Sequence, residues 1–294
     1  MHDVAFDSPA PRRRPPRAAY ALPTLFTAGN IFLGFLSILR SIQAALDVRA
    51  NLPNAAENFM VAAKTIGIAL LLDGLDGRIA RLTNTTSEFG REMDSLSDVI
   101  SFGIAPAILA YAWGVQFLDA GSAPALHDHL TRAGKLIAFL FLLCGSARLA
   151  RFNVQKNPVP KNPGRPNRRY FVGLPIPAAA ALVAAVVLAS DGYPIEVWPL
   201  TVCWLALILL LSFLMVSTWR YYAFKDTAFL RPRSPLTLVV MGALIFLVWN
   251  WSQPVLLALA SSYVAGGILL RVGGIVRRLS RRAQRAKPLE QPGV

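Results

Sequence analysis

The chain has 294 residues, of which 54% are hydrophobic, and its mean hydropathy of +0.46 is too high for a water-soluble domain of this size. The formal charge of +14 fits either a nucleic-acid binder or a membrane protein with basic cytoplasmic loops, and the placement of the charges separates the two. The only cysteines, Cys144 and Cys203, both fall inside apolar stretches, which excludes a disulfide framework and a thiolate metal site.

Residues 1–19 carry Arg12, Arg13, Arg14 and Arg17 among prolines, and they are expected to form a disordered basic cytoplasmic tail with no cleavable signal sequence. Apolar blocks of about 20 residues follow, the length a helix needs to cross the hydrocarbon core. They predict an all-α integral membrane protein, a bundle of about eight transmembrane helices at 22–46, 58–81, 90–117, 132–152, 174–191, 196–218, 235–250 and 254–276. Pro106 interrupts the third span and predicts a kink. The seventh is short and separated from the eighth only by residues 250–253. From 277 the chain is expected to be a second basic tail.

With the N-terminus placed inside, 25 of the 30 Lys and Arg residues fall on inner segments. The outer loops hold Asp47, Glu57, Asp119, Asp128, Asp191 and Glu196. This asymmetry accounts for the net charge without nucleic acid, and it predicts an even number of spans with both termini cytoplasmic, in an inner (cytoplasmic) membrane. His127 and His129, beside Asp128, read as a solvated outer loop. Lys64, deep in the second span, reads as snorkelling outward or pairing with Glu57, with no role in the chemistry.

The second and third spans meet in DGLDGRIARLTNTTSEFGREMDSLSD, from Asp73 to Asp98. An ionisable side chain at membrane depth costs about 3 kcal/mol or more, so four carboxylates together imply a compensating cation or a water-filled cavity. Asp73 and Asp76 are i and i+3 on one helix face; Asp94 and Asp98 are i and i+4 on another. The intervening loop, 82–89, brings the two faces together. Oxygen ligands without His or Cys suit a hard ion, Mg²⁺, Mn²⁺ or Ca²⁺. Two such ions about 3.5–4 Å apart would clamp a phosphate for in-line displacement. Gly77 and Gly90 let a ligand approach the two helices closely, and Arg81 suits a diphosphate oxygen. The cluster thus points to metal-dependent phosphoryl transfer at the cytoplasmic face.

The spacing D-x2-D-G-x2-A-R-x8-G-x3-D-x3-D, met by Asp73, Asp76, Gly77, Ala80, Arg81, Gly90, Asp94 and Asp98, resembles the signature of the CDP-alcohol phosphotransferases. That resemblance implies a six-helix core, here over 20–218, with two additional C-terminal helices over 219–276. It implies two Mg²⁺ or Mn²⁺ ions held by Asp73, Asp76, Asp94 and Asp98, with Asp98 also deprotonating the acceptor hydroxyl. It implies CDP-lipid contacts from Gly77, Arg81, Ser87 and Gly90. Relatives read Pro-Asn near the start of the first span; here the pair is Pro23-Thr24, which leaves Pro23 as a site residue and puts a side-chain contact at 24 in doubt.

EFGREMDSLSDVISFGIAPAILAYAW, ARLARFNV, FVGLPIPAAAA and RYYAFKD resemble the membrane-embedded phosphatidylserine synthase branch. The branch implies CDP-diacylglycerol as donor and L-serine as acceptor, with a homodimer left open. Arg148 and Arg151, one turn apart at the end of the fourth span, are candidates to hold the serine carboxylate, topology anchors being the other reading. Acceptors such as glycerol phosphate, inositol phosphate or choline are the alternatives within the family. A polyprenyl transferase would want a second Asp-rich helix pair. A cation transporter would not require Gly77, Arg81 and Gly90 at these spacings.

Overall fold

The computed structural model describes residues 18–82, 88–118, 124–156, 170–222 and 252–285. Helix α1 (Ala18–Arg49) and helix α2 (Ala55–Leu82) form an antiparallel hairpin. Its turn is closed by Asn51 in the left-handed region, with φ of 51°, and by the Leu52 N–H donating to the Asp47 carbonyl at 2.9 Å. The fully buried Ala44, Ala62, Ala63 and Ala69 let the backbones approach, and Ser37 Oγ donates across the interface to the Ala62 carbonyl at 2.9 Å.

The third span runs as α3 (Glu88–Asp98), a π-helical turn (Val99–Ile104) and α4 (Ala105–Gly114). Within the turn the Ala105 N–H reaches the Ile100 carbonyl, five residues back. The kink expected at Pro106 therefore takes the form of a widened turn just before it: proline brings no N–H, so the preceding turn loosens to redistribute its carbonyls. Gly34 of α1 faces this turn so closely that a Cβ there would overlap Ser101, and Ser101 Oγ donates to the Asn30 carbonyl at 2.8 Å.

Helix α5 (Pro124–Lys156), α6 (Ile176–Ala189) and α7 (Trp198–Val216) complete the core, and α8 (Ser252–Arg285) packs on α6. Strands β1 (Tyr170–Val172) and β2 (Arg220–Tyr222) pair antiparallel, a small departure from an all-α chain among the described residues. Trp204 of α7 stacks edge-on against Trp113 at 5.1 Å and donates its indole N–H to the Ala110 carbonyl at 2.9 Å.

Among the described residues, six helices are long and apolar enough to cross a membrane. Large apolar side chains point outward all round, among them Phe32, Phe35, Leu71, Leu136, Leu143 and Phe213. Water would penalise such a surface and a hydrocarbon solvent would not. The chain is an integral membrane protein.

Several expectations change in detail. The span expected at 174–191 is the 14-residue α6, too short to cross alone. The expected span 235–250 lies outside the described residues. The outer loop expected at 119–131 is helical from Pro124, because proline suits a first helical turn and the polar His127–His129 need not break a helix that extends past the hydrocarbon. Asp47, expected in an outer loop, is buried within α1, where Asn58 donates to it at 2.6 Å and Gln43 at 2.7 Å. The basic segment from 277, expected as a tail, stays helical to Arg285, since no Gly or Pro interrupts its Arg, Leu and Ala residues before Pro288. Lys64 is exposed on the outside of α2, as a snorkelling side chain should be.

Candidate active site

Asp73 comes from α2, and Asp94 and Asp98 come from one face of α3. One carboxylate oxygen from each can be chosen so that all three lie within 4.8 Å of one another. The helix spacing puts Asp94 and Asp98 one turn apart, and the α1–α2 hairpin holds Asp73 beside them. Asp98 ends α3 at the junction with the π-helical turn, so the widened turn sets its position.

Asp76, Gly77 and Arg81 follow on α2, with helical backbone; their side chains lie outside the described residues, as does the side chain of Pro23 in α1. Ser87 lies wholly outside them. Gly90 is in the first turn of α3, one turn before Asp94.

Three carboxylates this close repel one another strongly in a medium of low dielectric. One oxygen of Asp98, Oδ1, is buried and accepts no hydrogen bond. An all-oxygen donor set with a buried lone pair unused fits a hard divalent cation.

The opposite wall is basic. Arg148 of α5 is only 8% exposed, and its guanidinium lies over the Phe152 ring at 5.3 Å. Asp98, Tyr263 of α8 and Arg151 are all within electrostatic reach of it. A buried guanidinium without a counter-charge is costly, and the Asp98 carboxylate supplies one here. Arg151 is used differently: it donates to the Val216 carbonyl at 3.1 Å and to those of Ser217 and Val172 at 3.4 and 3.5 Å. It ties β1 to the C-terminus of α7, whose carbonyls lack helical donors.

A model of the CDP-alcohol phosphatidyltransferase family matches residues 20–198. A CDP-diacylglycerol–serine O-phosphatidyltransferase of Helicobacter pylori is 36% identical over 249 residues, covering 79% of this chain and 91% of that one. The chain belongs to the CDP-alcohol phosphatidyltransferase family. The Saccharomyces cerevisiae enzyme with the same name is 39% identical over 154 residues, 52% of this chain and 49% of its own. An archaetidylserine synthase of Methanothermobacter thermautotrophicus is 39% identical over 172 residues, 58% of this chain and 59% of its own.

As a member of this transferase family the chain is an enzyme, and its acidic cluster falls inside the matched segment. Sequence reasoning missed three polar groups near it. Ser97 is buried with an unpartnered hydroxyl, and Asn30 is buried against Ser101. Tyr263 comes from α8, beyond the matched segment. Ser97 and Ser101 stand one turn apart in an apolar span, a signal that was available; nothing in the local pattern of α8 linked Tyr263 to Arg148. The cavity of about 490 Å³ between α1, α4 and α5 is lined by Ile42, Leu46, Ile108 and Phe139 among others and touches none of the acidic residues.

Proposed function

We propose that this enzyme transfers the phosphatidyl group of CDP-diacylglycerol to the hydroxyl of L-serine, giving phosphatidylserine and CMP. The observation that carries the reading is the convergence of Asp73, Asp94 and Asp98 from two helices, with the buried Arg148 within electrostatic reach of Asp98. The relatives support the acceptor: the names of all three specify serine, whether the lipid is a diacylglycerol or an archaeal one.

The donor enters from the bilayer with its diphosphate at the acidic cluster. Asp73, Asp76, Asp94 and Asp98 would hold two divalent ions, Mg²⁺ or Mn²⁺, which when bound neutralise charge on the diphosphate. Gly77 and Gly90 leave room for the nucleotide beside α2 and α3, Arg81 pairs with a diphosphate oxygen, and Pro23 and Ser87 line the cytidine end. Asp98 takes the proton of the serine hydroxyl, whose unperturbed pKa is far above 7. A bond forms between that oxygen and the lipid-side phosphorus, the bond to the CMP oxygen breaks, and the proton leaves Asp98 for water. Arg148 pairs with the serine carboxylate and so sets which hydroxyl meets Asp98. The excess of Arg and Lys beside the cluster supports a cytoplasmic site, with both termini on that side.

The test is CMP release from CDP-diacylglycerol by the purified enzyme, offered serine, glycerol phosphate, inositol phosphate and choline in turn. Serine should be used far better than the others. Preference for a phosphorylated polyol would keep the family and remove the acceptor.

A further inference from the structure

The cavity of about 490 Å³ between α1, α4 and α5 is no part of the acidic site, and its two ends differ in chemistry. Helices α1 and α4 run away from the acidic cluster, since Ser101 just before α4 meets Asn30 early in α1. Helix α5 runs back towards the cluster, where Asn153 near its end meets Ser95. Depth along the groove can therefore be read from residue number. The end nearer the cluster is walled by Ile104 and Leu142, while Arg49, Tyr111, Gln116 and Lys135 line the far end. Ser41 also lines the near end, but its hydroxyl is spent on the Ser37 carbonyl at 2.8 Å. Arg49 and Lys135 are exposed, and among the described residues neither makes an ion pair.

We propose that this groove is a binding site for one anionic phospholipid, held from the leaflet opposite the acidic cluster. An acyl chain lies along the apolar wall, and the headgroup phosphate sits between Arg49 and Lys135. The site is separate from catalysis and does not depend on which acceptor the enzyme uses.

Length, volume and charge each support it. From Ser41 to Arg49 the groove follows α1 for about 12 Å, close to one leaflet's share of a hydrocarbon core about 30 Å thick. Its volume falls within the range of pockets that hold small organic ligands, about 300–1,000 Å³. A cation at the edge of the hydrocarbon is costly without a counter-charge, and two of them at the mouth of one groove share that need. A phosphate meets both: the Arg49 guanidinium offers a planar fork and the Lys135 ammonium a point charge. Tyr111 and Gln116 add neutral donors for the remaining lone pairs. A zwitterionic lipid would gain the same wall, but its own ammonium group opposes the two cations. The CDP-lipid donor does not fit this end, because Lys135 stands about 20 Å along α5 from Arg148.

The experiment places the full-length enzyme in nanodiscs of equal phosphatidylglycerol and phosphatidylcholine, releases it into mild detergent and counts retained lipids by native mass spectrometry. The wild type should keep one phosphatidylglycerol per chain in preference to phosphatidylcholine. Arg49→Gln and Lys135→Gln should each lower that preference about fivefold and the double variant about 30-fold, the effect of one and two cations near a lipid headgroup. Thermal unfolding in lipid-free detergent should be close to that of the wild type for all three. Ala138→Trp fills the groove with both charges in place, so it should release the lipid, and it carries the test independently if the charge variants fold poorly. Equal retention of the two lipids, an unchanged preference in the double variant, or full retention in Ala138→Trp would each overturn the proposal. So would a disulfide between two copies of Phe139→Cys in a variant without Cys144 and Cys203, since the groove would then face a second chain.

Discussion

Asn153 donates its side-chain N–H to Ser95 Oγ at 2.7 Å, joining the end of α5 to the helix that carries Asp94 and Asp98. Ser95 in turn donates to the Arg91 carbonyl at 3.0 Å, so its lone pair is presented to Asn153 in a fixed direction. The bond sets the separation between the acidic helix and the helix that bears Arg148. Asn153→Ala should therefore lower kcat several-fold and stability by about 1 kcal/mol, the usual worth of such a bond. Ser95→Ala should match it, and the double mutant should lose little more than either single one. Additive losses in thermal unfolding and turnover would mean that the two side chains act separately.

The carboxylates should separate into two behaviours. Asp73→Ala and Asp94→Ala each remove a charge from the cluster and should abolish turnover, as should a chelator until Mg²⁺ or Mn²⁺ is restored. Asp98→Asn keeps the shape and part of the ligand capacity but cannot take a proton. It should lower kcat by orders of magnitude while the enzyme still binds CDP-diacylglycerol, a loss confined to the transition state. Radiolabelled donor binding beside turnover measures both, and full activity in chelator would sink the metal mechanism.

The acidic cluster was legible because helical periodicity alone puts Asp73 with Asp76 and Asp94 with Asp98, and a short connection leaves the two faces little choice but to meet. The six long spans were legible because hydrocarbon thickness sets a length that apolar composition reveals. Other features depended on contacts distant in sequence. Arg148 and Arg151 look equivalent in ARLARFNV; only the fold shows that Arg151 is taken up by the carbonyls at the end of α7 while Arg148 is buried within electrostatic reach of Asp98. Asp47 looked like a loop charge because its partner Asn58 lies across the turn on another helix. An irregularity at Pro106 was foreseeable, but its form as a π-helical turn was not, since a missing proline N–H can be accommodated in more than one way.

That packing can be tested directly. A Cβ at position 34 would overlap Ser101 in the π-helical turn that follows Asp98. Gly34→Ala should cost about 1–3 kcal/mol, as overpacking does, and should depress kcat because the turn sets where Asp98 stands. Ser101→Ala removes only the bond to the Asn30 carbonyl and should cost about 1 kcal/mol. If Gly34→Ala is as stable and active as the wild type, α1 and the turn are not closely held.

Topology follows from the charge asymmetry. Single cysteines placed at 85 and at 125, in a variant without Cys144 and Cys203, should be labelled by an impermeant thiol reagent from opposite faces of sealed vesicles. Position 85 should react from the side that carries the termini. Labelling of both from one side would overturn the orientation and the pairing of spans.

The two arginines of ARLARFNV should fail in different ways. Arg148 is buried within electrostatic reach of Asp98, and its guanidinium lies over the Phe152 ring. Arg148→Ala removes the charge proposed to meet the serine carboxylate, while Phe152, Asp98 and the donor site remain. KM for serine should rise about 10- to 150-fold, the range for one lost charge-assisted contact of 1.5–3 kcal/mol, with KM for CDP-diacylglycerol nearly unchanged. Serinol should be a poor acceptor for the wild type and no worse for the mutant. Arg151→Ala instead strips donors from the Val216, Ser217 and Val172 carbonyls. It should lower thermal stability and kcat with every acceptor alike, leaving the ratio of serine to serinol where it was. Should Arg148→Ala behave in this second way, the guanidinium is an anchor and the carboxylate is bound elsewhere.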